Sequence, residues 1–522
     1  MAVQHIINVD LARVYESENK KGFVRTLEWG DGVEVKNITE EHVEIVTVKH
    51  QKQDDGMIKP VPASGFIVPS KSSGIKPEDV VVEKENSRVL RVNFVDVQQG
   101  DASVIETAKG RVILIDGGDT QLFARYLANR FRGSSKDEPK EVDCILVTHG
   151  DADHFSGLTK IKESETNRTE WKRLFIHPKR VYHNGLVKRP SSVREEDSLG
   201  QTLTADGTTI VTQLETDLLK VDDQKMNKPF REWKEALKAY EEERGPIKFR
   251  RLVKDDDDAF DFLADEDIEV EVLGPILTRV GGTEGLKFLG TTEKGPRVGH
   301  HSLDEGRDSF KGKSASHTIN GHSIVFRLSY GKFRFLFAGD LNEEAERDLM
   351  HAHEDGDLNL RSEVLKVPHH GSDDFYGGFI EAVSPLASVV SSGDENARKE
   401  YIHPRSTLIG ALGRYSRVAE PLIFVTELVA FFETEGPVRP EFHRLKDGVA
   451  VVDEMGRAAL DERAKKPFFA FSRTVYGQVK VRTDGERLLV CTDSGQADLK
   501  EAYAYRMEDA TGEPVPEGVR QA

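Results

Sequence analysis

Apolar and polar residues alternate in five short runs within the first 70 residues. The runs are ARVYES, GFVRTL, GVEVKNI, HVEIVTV and GFIVPS, and turn signals such as WGDG separate them. Short alternating strands with glycine-rich turns are typical of a small β-barrel. The polar stretch 71–88 that follows predicts a linker. We therefore expect a β-barrel-like N-terminal domain at residues 1–88, and a β-rich appendage of another type is the alternative.

A different pattern begins at residue 89. The apolar run VLRVNFVDV is followed by a strand pair, SVIETAKG and RVILIDGGD, and then by QLFARYLANRFR, whose Leu122, Tyr126 or Leu127, and Phe131 have helical spacing. VDCILV returns to a strand. Later strands include IEVEVLGP, VLKVP and LASVV, and SIVFRLSYGKFRFLFAG predicts a hairpin. This order is typical of an α/β fold, and we expect one such domain over 89–435.

Two further segments depart from this pattern. Residues 190–265 suggest a helical insertion, because Phe230, Trp233, Leu237 and Tyr240 lie on one face of a helix and are expected to pack on the parent domain. After residue 436, TVYGQVKVRTDGERLLVCTD predicts a hairpin with an Asp-Gly turn. We therefore expect a β-containing C-terminal region at 436–522.

Composition limits the classes of function. The chain has 522 residues and a net charge of −18, which argues against a general binder of nucleic acid or anionic membranes but allows a local basic surface. No run approaches about 18 apolar residues, and the first residues lack the pattern of a secretory signal. Only two cysteines occur, which fits a reducing compartment. We expect a cytoplasmic protein without a membrane partner, and no pattern indicates an obligate protein partner.

The strongest chemical signal is THGDADHFSGL, directly after the strand VDCILV. His149, Asp151, Asp153 and His154 lie within six residues. Four ionisable groups are costly to bury alone and belong in a loop that binds something charged. Imidazole and carboxylate ligands together suit zinc, iron or manganese.

Three more ligand-type clusters follow apolar strands. Asp116 ends VILID, Asp340 follows FRFLFAG, and His369 and His370 follow VLKVP. Taken singly, Asp116 or Asp340 is more often a cap or turn residue. Since α/β folds build their sites at strand ends, the coincidence of four clusters predicts a metal centre.

These motifs carry a resemblance to a known family. HxDxDH, LIDGG, AGD and PHHGS, with VNFVDVQQGDAS and YIHPRS, resemble the metallo-β-lactamase-fold hydrolases, in particular the soluble domain of the competence DNA-uptake channel proteins (ComEC family) and their free-standing relatives. The resemblance covers about residues 89–430, without the insertion or either end. It implies an αββα sandwich with two divalent metal ions, zinc or manganese, at one edge.

The resemblance also implies a role for each motif residue. His149 and Asp151 would bind the first metal, and Asp153 and His154 the second. Aspartate at 151, where many family members have histidine, makes the first site richer in oxygen and lets manganese compete with zinc.

The resemblance also implies roles for the later motifs and for Asp116. Asp340 would bridge both ions, and Asp116 would orient a ligand. One of His369 and His370 would complete the second site, and we favour His369 because it is nearer the strand end. The family's third-motif histidine has no clear equivalent, and its candidates are His177, His183, His317 and His322. Each of these is more often a surface or packed histidine.

The expected chemistry is hydrolysis without a protein nucleophile. Two ions about 3.5–4 Å apart can hold a hydroxide and stabilise charge on a carbonyl or phosphoryl oxygen. Asp153 and Asp340 would then be catalytic through the metals. His403, in YIHPRS, matches a late family histidine that could donate a proton to the leaving group or orient the substrate, and a plain turn histidine is the alternative.

The sequence leaves three hypotheses for the function. Residues 159–190 carry nine Lys or Arg against three Glu, which favours a phosphate-bearing substrate if this stretch lines the cleft. The first hypothesis is a phosphodiesterase acting on DNA, RNA or a nucleotide. The second is hydrolysis of a lactone, thioester or β-lactam. The third is a binding module, because the N-terminal runs resemble bacterial Src-homology-3-type domains and the metal domain would then be a scaffold.

Overall fold

The computed structural model describes residues 5–52, 58–292, 310–311, 313–393, 403–427, 443–446, 449–452, 478–493 and 500–522. The first strands are β1 His5–Ile7, β2 Leu11–Tyr15, β3 Phe23–Glu28, β4 Gly32–Ile38, β5 Val43–Lys52, β6 Ile58–Ile67 and β7 Val81–Glu83.

The seven N-terminal strands form one sheet in the order β3-β2-β6-β5-β4-β1-β7. All five strands expected from the sequence are present. Strand β7 lies in the expected linker, yet it pairs with β1 and buries Val81. Strands β3 and β7 are the two edge strands of this sheet, and within the described residues they do not pair with each other. Because a closed barrel requires its edge strands to pair, the small barrel stays a prediction.

The next part of the chain alternates strands and helices. Its elements are β8 Leu90–Phe94, β9 Ala102–Glu106, β10 Val112–Asp116, α1 Leu122–Arg130, β11 Lys140–Val142, β12 Cys144–Leu146, α2 Ala152–Ser164, β13 Ile176–Pro178, β14 Arg180–His183, β15 Thr202–Ala205, β16 Thr208–Val211, α3 Lys228–Arg244, β17 Lys248–Arg251, β18 Ile268–Gly274, β19 Thr278–Val280, β20 Thr283–Lys287, β21 Thr291–Thr292 and β22 Phe310–Lys311.

The remaining elements complete two large sheets. They are α4 Ala315–Gly321, β23 Val325–Tyr330, β24 Phe333–Phe337, α5 Glu343–Glu354, β25 Val364–Lys366, α6 Gly377–Val383, β26 Ala387–Val390, α7 Ser406–Tyr415, β27 Leu422–Val425, β28 His443–Lys446, β29 Val449–Val452, β30 Val479–Thr483, β31 Arg487–Asp493, β32 Lys500–Met507 and β33 Pro514–Glu517.

The two large sheets face each other across one apolar core. The first has ten strands in the order β17-β14-β12-β10-β9-β8-β30-β31-β32-β33, and the second has six in the order β18-β23-β24-β25-β26-β27. Val92 and Ile113 of the first sheet belong to the same buried cluster as Phe326 and Phe335 of the second. Burial of this shared face is the main force that holds the sheets together.

Helices cover the outer face of each sheet. Apolar residues of α1, α2 and α3 form one cluster with Leu114 and Ile145 of the first sheet. Residues of α5, α6 and α7 form another with Leu336 and Leu365 of the second sheet. The resulting layers, helix, sheet, sheet, helix, confirm the αββα sandwich. Among the helices of the described ranges, none combines the length and apolarity needed to cross a bilayer.

The sequence boundaries at 190–265 and 436 differ from the structure. The predicted face of α3 is buried at Phe230, Trp233, Leu237 and Tyr240, as expected. However, α3 connects β14 to β17, which pair in parallel, so it is a crossover helix of the α/β layer. Strands β15 and β16 of this segment form a separate sheet with β19 and β20, which follow it in the chain. The helical spacing in α1 predicted a face of Leu122, Tyr126 or Leu127, and Phe131. In the structure the large buried side chains of α1 are Phe123 and Leu127.

The C-terminal strands belong to the first sheet. Strand β30 pairs with β8, and the predicted hairpin of β30 and β31 is present, although residues 474–477 lie outside the described residues. Periodicity could not show this pairing, because β8 and β30 are far apart in sequence. It joins the region after residue 436 to the α/β domain.

The N-terminal sheet is fastened to the C-terminal strands. Trp29 packs with Leu489, Cys491 and Ala504. Buried Glu28 pairs with Lys480 at 2.9 Å. Paired charges at such a contact cost less to bury than single ones. The N-terminal strands therefore pack on the α/β domain.

We predict that Phe337→Ala lowers the free energy of unfolding by about 3–5 kcal/mol, because it leaves a cavity between the sheets. Phe337 is buried and stacks on Phe326, with ring centroids 4.7 Å apart. Denaturant unfolding followed by circular dichroism measures the change. Ile38→Ala, at a residue 40% exposed, is the control and should cost less than about 0.5 kcal/mol. Equal effects of the two substitutions would contradict the assigned core.

Candidate metal centre

The ligand-type residues meet where strands of both sheets end. Strands β10 and β12 are parallel, as are β24 and β25, so their carboxyl ends lie at common edges. His149 follows β12, Asp340 follows β24, and His370 follows β25. Gly339 has φ of +51° and lies against the side chain of Ser323, so a larger residue before Asp340 would be strained. The two halves of the sandwich thus contribute to one cluster.

Three imidazoles converge on the carboxylate of Asp340. Its Oδ2 lies 3.1 Å from His370 Nε2, 3.3 Å from His154 Nε2 and 3.9 Å from His149 Nε2. All four side chains are buried. His149 and His154 are also in contact, with ring centroids 4.0 Å apart.

Asp153 completes the cluster from the first turn of α2. Its Oδ2 lies 3.7 Å from His370 Nε2, and Asp153, His154 and His370 can offer three ligand atoms to one ion. Gly100 brings the β8–β9 loop against this turn, since a Cβ there would lie 1.7 Å from the carbonyl oxygen of Asp153. Glycine at 100 is therefore needed for this approach.

The donor atoms fit a metal ion. The Nε2 atoms of His149, His154 and His370 and the Oδ1 of Asp340 are buried without a hydrogen-bond partner, although buried polar atoms are normally paired. Ligand atoms about 2.0–2.2 Å from a tetrahedral ion lie about 3.3–3.6 Å apart, which is close to the separations observed around Asp340. Nitrogen and oxygen donors of this kind suit zinc or manganese.

Asp116 lies against His154 in the position to orient its ring. Its Oδ2 lies 3.0 Å from His154 Nδ1 and accepts a hydrogen bond from Thr148 Oγ1, while its Oδ1 accepts one from Thr148 N. A carboxylate on Nδ1 fixes the tautomer of a metal-binding imidazole, and Nε2 is then free to coordinate. Asp116 holds this position with φ of +57°.

Asp101 lies against the Nδ1 of His370 as Asp116 lies against that of His154. The sequence did not lead us to predict this residue. Its Oδ1 lies 3.3 Å from His370 Nδ1, which is also 3.1 Å from the carbonyl oxygen of Ser391. The ammonium of Lys366 contacts Asp101 Oδ2 in a buried ion pair. The only sequence signal is the aspartate of QQGDAS after a strand, since pairing with Lys366 and His370 depends on the tertiary fold.

His370 and His369 differ from the expectation. We favoured His369 as the ligand, but His370 is the one that points at Asp340 and Asp153. Both residues have positive φ, 48° and 53°, so the chain turns sharply after Pro368 and nearness to the strand end does not decide which ring faces inward. His369 instead lies beside the Asn320 amide and near His403, with ring centroids 6.3 Å apart.

Asp151 has two polar partners that do not belong to the imidazole cluster. Its Oδ1 lies 3.0 Å from the Nζ of Lys188. The amide of Asn320, oriented so that its nitrogen also donates to Ser316 O, donates to Asp151 Oδ2 at 3.1 Å. Asp151 is therefore held by an ion pair and a hydrogen bond.

The candidates for the third motif have other partners. His183 Nε2 lies 3.1 Å from Thr216 O, and His322 Nε2 lies 2.7 Å from Lys287 O, so each donates to a backbone carbonyl. His317 lies 3.3 Å from Asp374, and His177 is beside Lys179. In each case the simpler interpretation, a packed or surface histidine, agrees with the contacts.

The buried carboxylates of the cluster require positive charge nearby. Burial raises the pKa of the Asp340 carboxyl, but His370 and His154 outweigh burial and hold this pKa well below its usual range. Burial lowers the pKa of His370, yet Asp340 and Asp101 raise it to about 10. His149, by contrast, is buried next to His154, and its pKa is lowered. The carboxylates thus demand positive charge, which a divalent ion supplies while the Nε2 atoms stay unprotonated.

We predict that Asp116→Asn weakens Zn²⁺ or Mn²⁺ binding by about 10- to 100-fold, because the amide no longer fixes the His154 tautomer. Isothermal titration calorimetry measures the dissociation constant, and circular dichroism checks the fold. Asp119→Asn, at an exposed aspartate three residues on, is the matched control. If both substitutions changed the affinity equally, the role of Asp116 would be wrong.

We also predict that chelator-treated protein melts at a lower temperature than protein with Mn²⁺ or Zn²⁺ added back. At a free metal concentration about 100 times the dissociation constant, binding adds about 2.7 kcal/mol of stability. Differential scanning calorimetry measures the shift. Asp340→Asn should remove it, and a wild-type melting temperature that does not respond to either metal would contradict the metal centre.

Comparison with known proteins agrees with this geometry. Residues 95–209 match the model of the metallo-beta-lactamase superfamily. ComE operon protein 3 of Bacillus subtilis (strain 168) is 33% identical over 98 residues, which is 19% of this chain and 12% of that protein. Competence protein ComA of Neisseria gonorrhoeae is 42% identical over 86 residues, 16% of this chain and 12% of that protein.

The chain thus spans about an eighth of the length of these curated relatives. A crystal structure titled as Tm1679, a metal-dependent hydrolase of the beta-lactamase superfamily, aligns with 64% of this chain and 95% of its own, at 14% identity and a TM-score of 0.29. The matched segment 95–209 contains Asp101, Asp116, His149, Asp153 and His154, that is, the first half of the cluster. Residues 95–209 are therefore similar to the metallo-beta-lactamase superfamily.

Proposed function

We propose that this chain is a divalent-metal-dependent phosphodiesterase that acts on nucleic acid or nucleotides. The observation that carries the proposal is Lys188, a partly exposed cation from the basic stretch 159–190. Its ammonium lies 3.0 Å from Asp151, which is two residues before Asp153 of the donor cluster. A cation fixed next to a metal centre suits a substrate with a charged phosphoryl group better than a neutral lactone or thioester.

The rest of the basic stretch contributes less. Lys160 pairs with Glu163, Lys162 with Glu165, and Lys179 with Glu141, each at 2.7–2.8 Å. The charges of these three lysines are thus compensated by neighbouring glutamates. The argument for phosphate therefore depends on the position of one lysine rather than on the summed charge.

The donor set supports metal-dependent chemistry. Asp153, His154, Asp340 and His370 would hold the ion, which would supply a Lewis acid and lower the pKa of water toward 7. Asp116 and Asp101 keep the two imidazoles in the orientation that leaves Nε2 unprotonated. Asp340 and Asp153 are thus proposed as catalytic through the metal they hold.

His403 is proposed to orient the substrate. It lies near His369, whereas Tyr401 and Ile402 of the same motif lie outside the described residues. Burial and the neighbouring His370 lower the pKa of His403 to about 3, so its imidazole is neutral at pH 7. A neutral ring can donate a hydrogen bond to a phosphoryl oxygen, whereas the role of a cationic proton donor would require charging a half-buried group.

Two lines of comparison support the same class. The partial relatives carry names that refer to competence, and the motif pattern resembles the soluble domain of competence DNA-uptake proteins. The aspartates at 153 and 340 supply oxygen donors to the centre, which suits manganese as well as zinc.

We predict that purified protein with Mn²⁺ or Zn²⁺ cleaves single-stranded DNA, plasmid DNA or bis(p-nitrophenyl) phosphate. Asp153→Asn should lower the rate by more than about 100-fold, because it replaces a charged ligand of the ion, not a supporting group, with a neutral amide. Gel and absorbance assays measure cleavage, and Asp119→Asn is the matched control.

Substrate classes would be separated in the same series. Protein shown to retain metal that cleaves none of these phosphodiesters, nor RNA, but opens a lactone or a thioester would overturn the proposal in favour of the second hypothesis. Cleavage that survives both chelation and Asp153→Asn would point to a contaminating nuclease and would also count against it.

A further inference from the structure

The position of Asp151 differs from that of a ligand to a first metal. Both of its carboxylate oxygens already have donors, Lys188 Nζ at 3.0 Å and the Asn320 amide at 3.1 Å. Asp151 is absent from the groups of His, Asp and Glu side chains in the described residues whose ligand atoms come within 4.8 Å of one another. The first of the two expected metal positions is therefore short of an oxygen donor.

Lys188 is held in place by the fold. The residues before it, Leu186 and Val187, are buried. Its carbonyl oxygen accepts a hydrogen bond at 2.9 Å from the backbone N–H of Asn227, and Asn227 caps the N-terminus of α3 through its side chain. The backbone that carries the ammonium is thus held in place by burial and by a hydrogen bond.

The described residues offer few other ligand atoms to the first metal. Within the described residues, His149 groups with His154 and Asp340, and the Oδ2 of Asp340 is already close to His154 and His370. His183 and His322 are engaged with backbone carbonyls. Protein-bound zinc takes three or four protein ligands, so His149 and a shared Asp340 do not complete a second site.

We infer that the ammonium of Lys188 takes the place of the first metal, so that the centre holds one divalent ion beside one fixed monovalent cation. The ion would bind at Asp153, His154, Asp340 and His370. The inference rests on the metal-dependent function proposed above and narrows it. An ammonium has three donors and no vacant orbital, so Lys188 would neutralise and position a phosphoryl oxygen but would not activate water.

The test is the number of bound ions. Wild-type protein is dialysed against Mn²⁺ and, separately, Zn²⁺, and the metal content per chain is measured by inductively coupled plasma mass spectrometry. We expect one ion per chain. Lys188→Met, which keeps the length of the side chain but not its charge, frees Asp151 and should raise the content to two.

Matched variants separate a local role from general charge. Lys160→Met removes a cation of the same stretch that pairs with exposed Glu163, and its metal content should stay at one. Asp151→Asn should leave the wild-type content and the dissociation constant unchanged within about twofold, whereas a supporting or direct ligand would lose about 10-fold or more. This second variant keeps the test decisive if Lys188→Met does not fold.

The outcomes distinguish this inference from the proposed function. Two ions in the wild type, or loss of metal in Asp151→Asn, would overturn the role of Lys188 and leave the metal-dependent phosphodiesterase intact. A folded Lys188→Met variant that still binds a single ion would also overturn it. No bound ion in the wild type would contradict the metal centre itself, and the inference with it.

Discussion

The carboxylate of Asp340 is the constraint on which the rest of the site depends. It is buried at the end of β24 in the second sheet, while His149 and His154 reach it from the first sheet and His370 from the neighbouring strand. A buried carboxylate without compensating charge is costly, so its partners must arrive together. They do so only when the two sheets are packed at the correct separation, which couples the apolar core to the chemistry.

Local backbone conformation explains why motif spacing located the site but did not assign every ligand. Asp116, His369 and His370 all have positive φ, which is uncommon for residues with a Cβ and tends to occur at functional sites. The strand-end rule placed the candidate ligands near one another, because parallel strands bring their carboxyl ends to one edge. The choice between His369 and His370 depended on a sharp turn that no periodicity indicates.

Other features were beyond sequence reasoning because they depend on residues far apart in the chain. The pairing of Asp101 with Lys366, of Asp151 with Lys188, and of β8 with β30 each requires the assembled fold. The α3 helix illustrates the reverse case. Its buried face was correctly predicted, since helical spacing is a local signal, but its place as a crossover between β14 and β17 is a matter of topology.

The placement of the last strands has a consequence for how the protein can be divided. Strand β8 is the first strand of the α/β domain, yet one of its edges is covered by β30, and Leu11 near the start of the chain forms a bridge with Gln521 near its end. A fragment cut at residue 435 would present β8 as a bare hydrogen-bonding edge beside newly exposed apolar residues, the arrangement that promotes edge-to-edge association. The smallest piece that folds independently is therefore expected to include residues from both ends of the sequence.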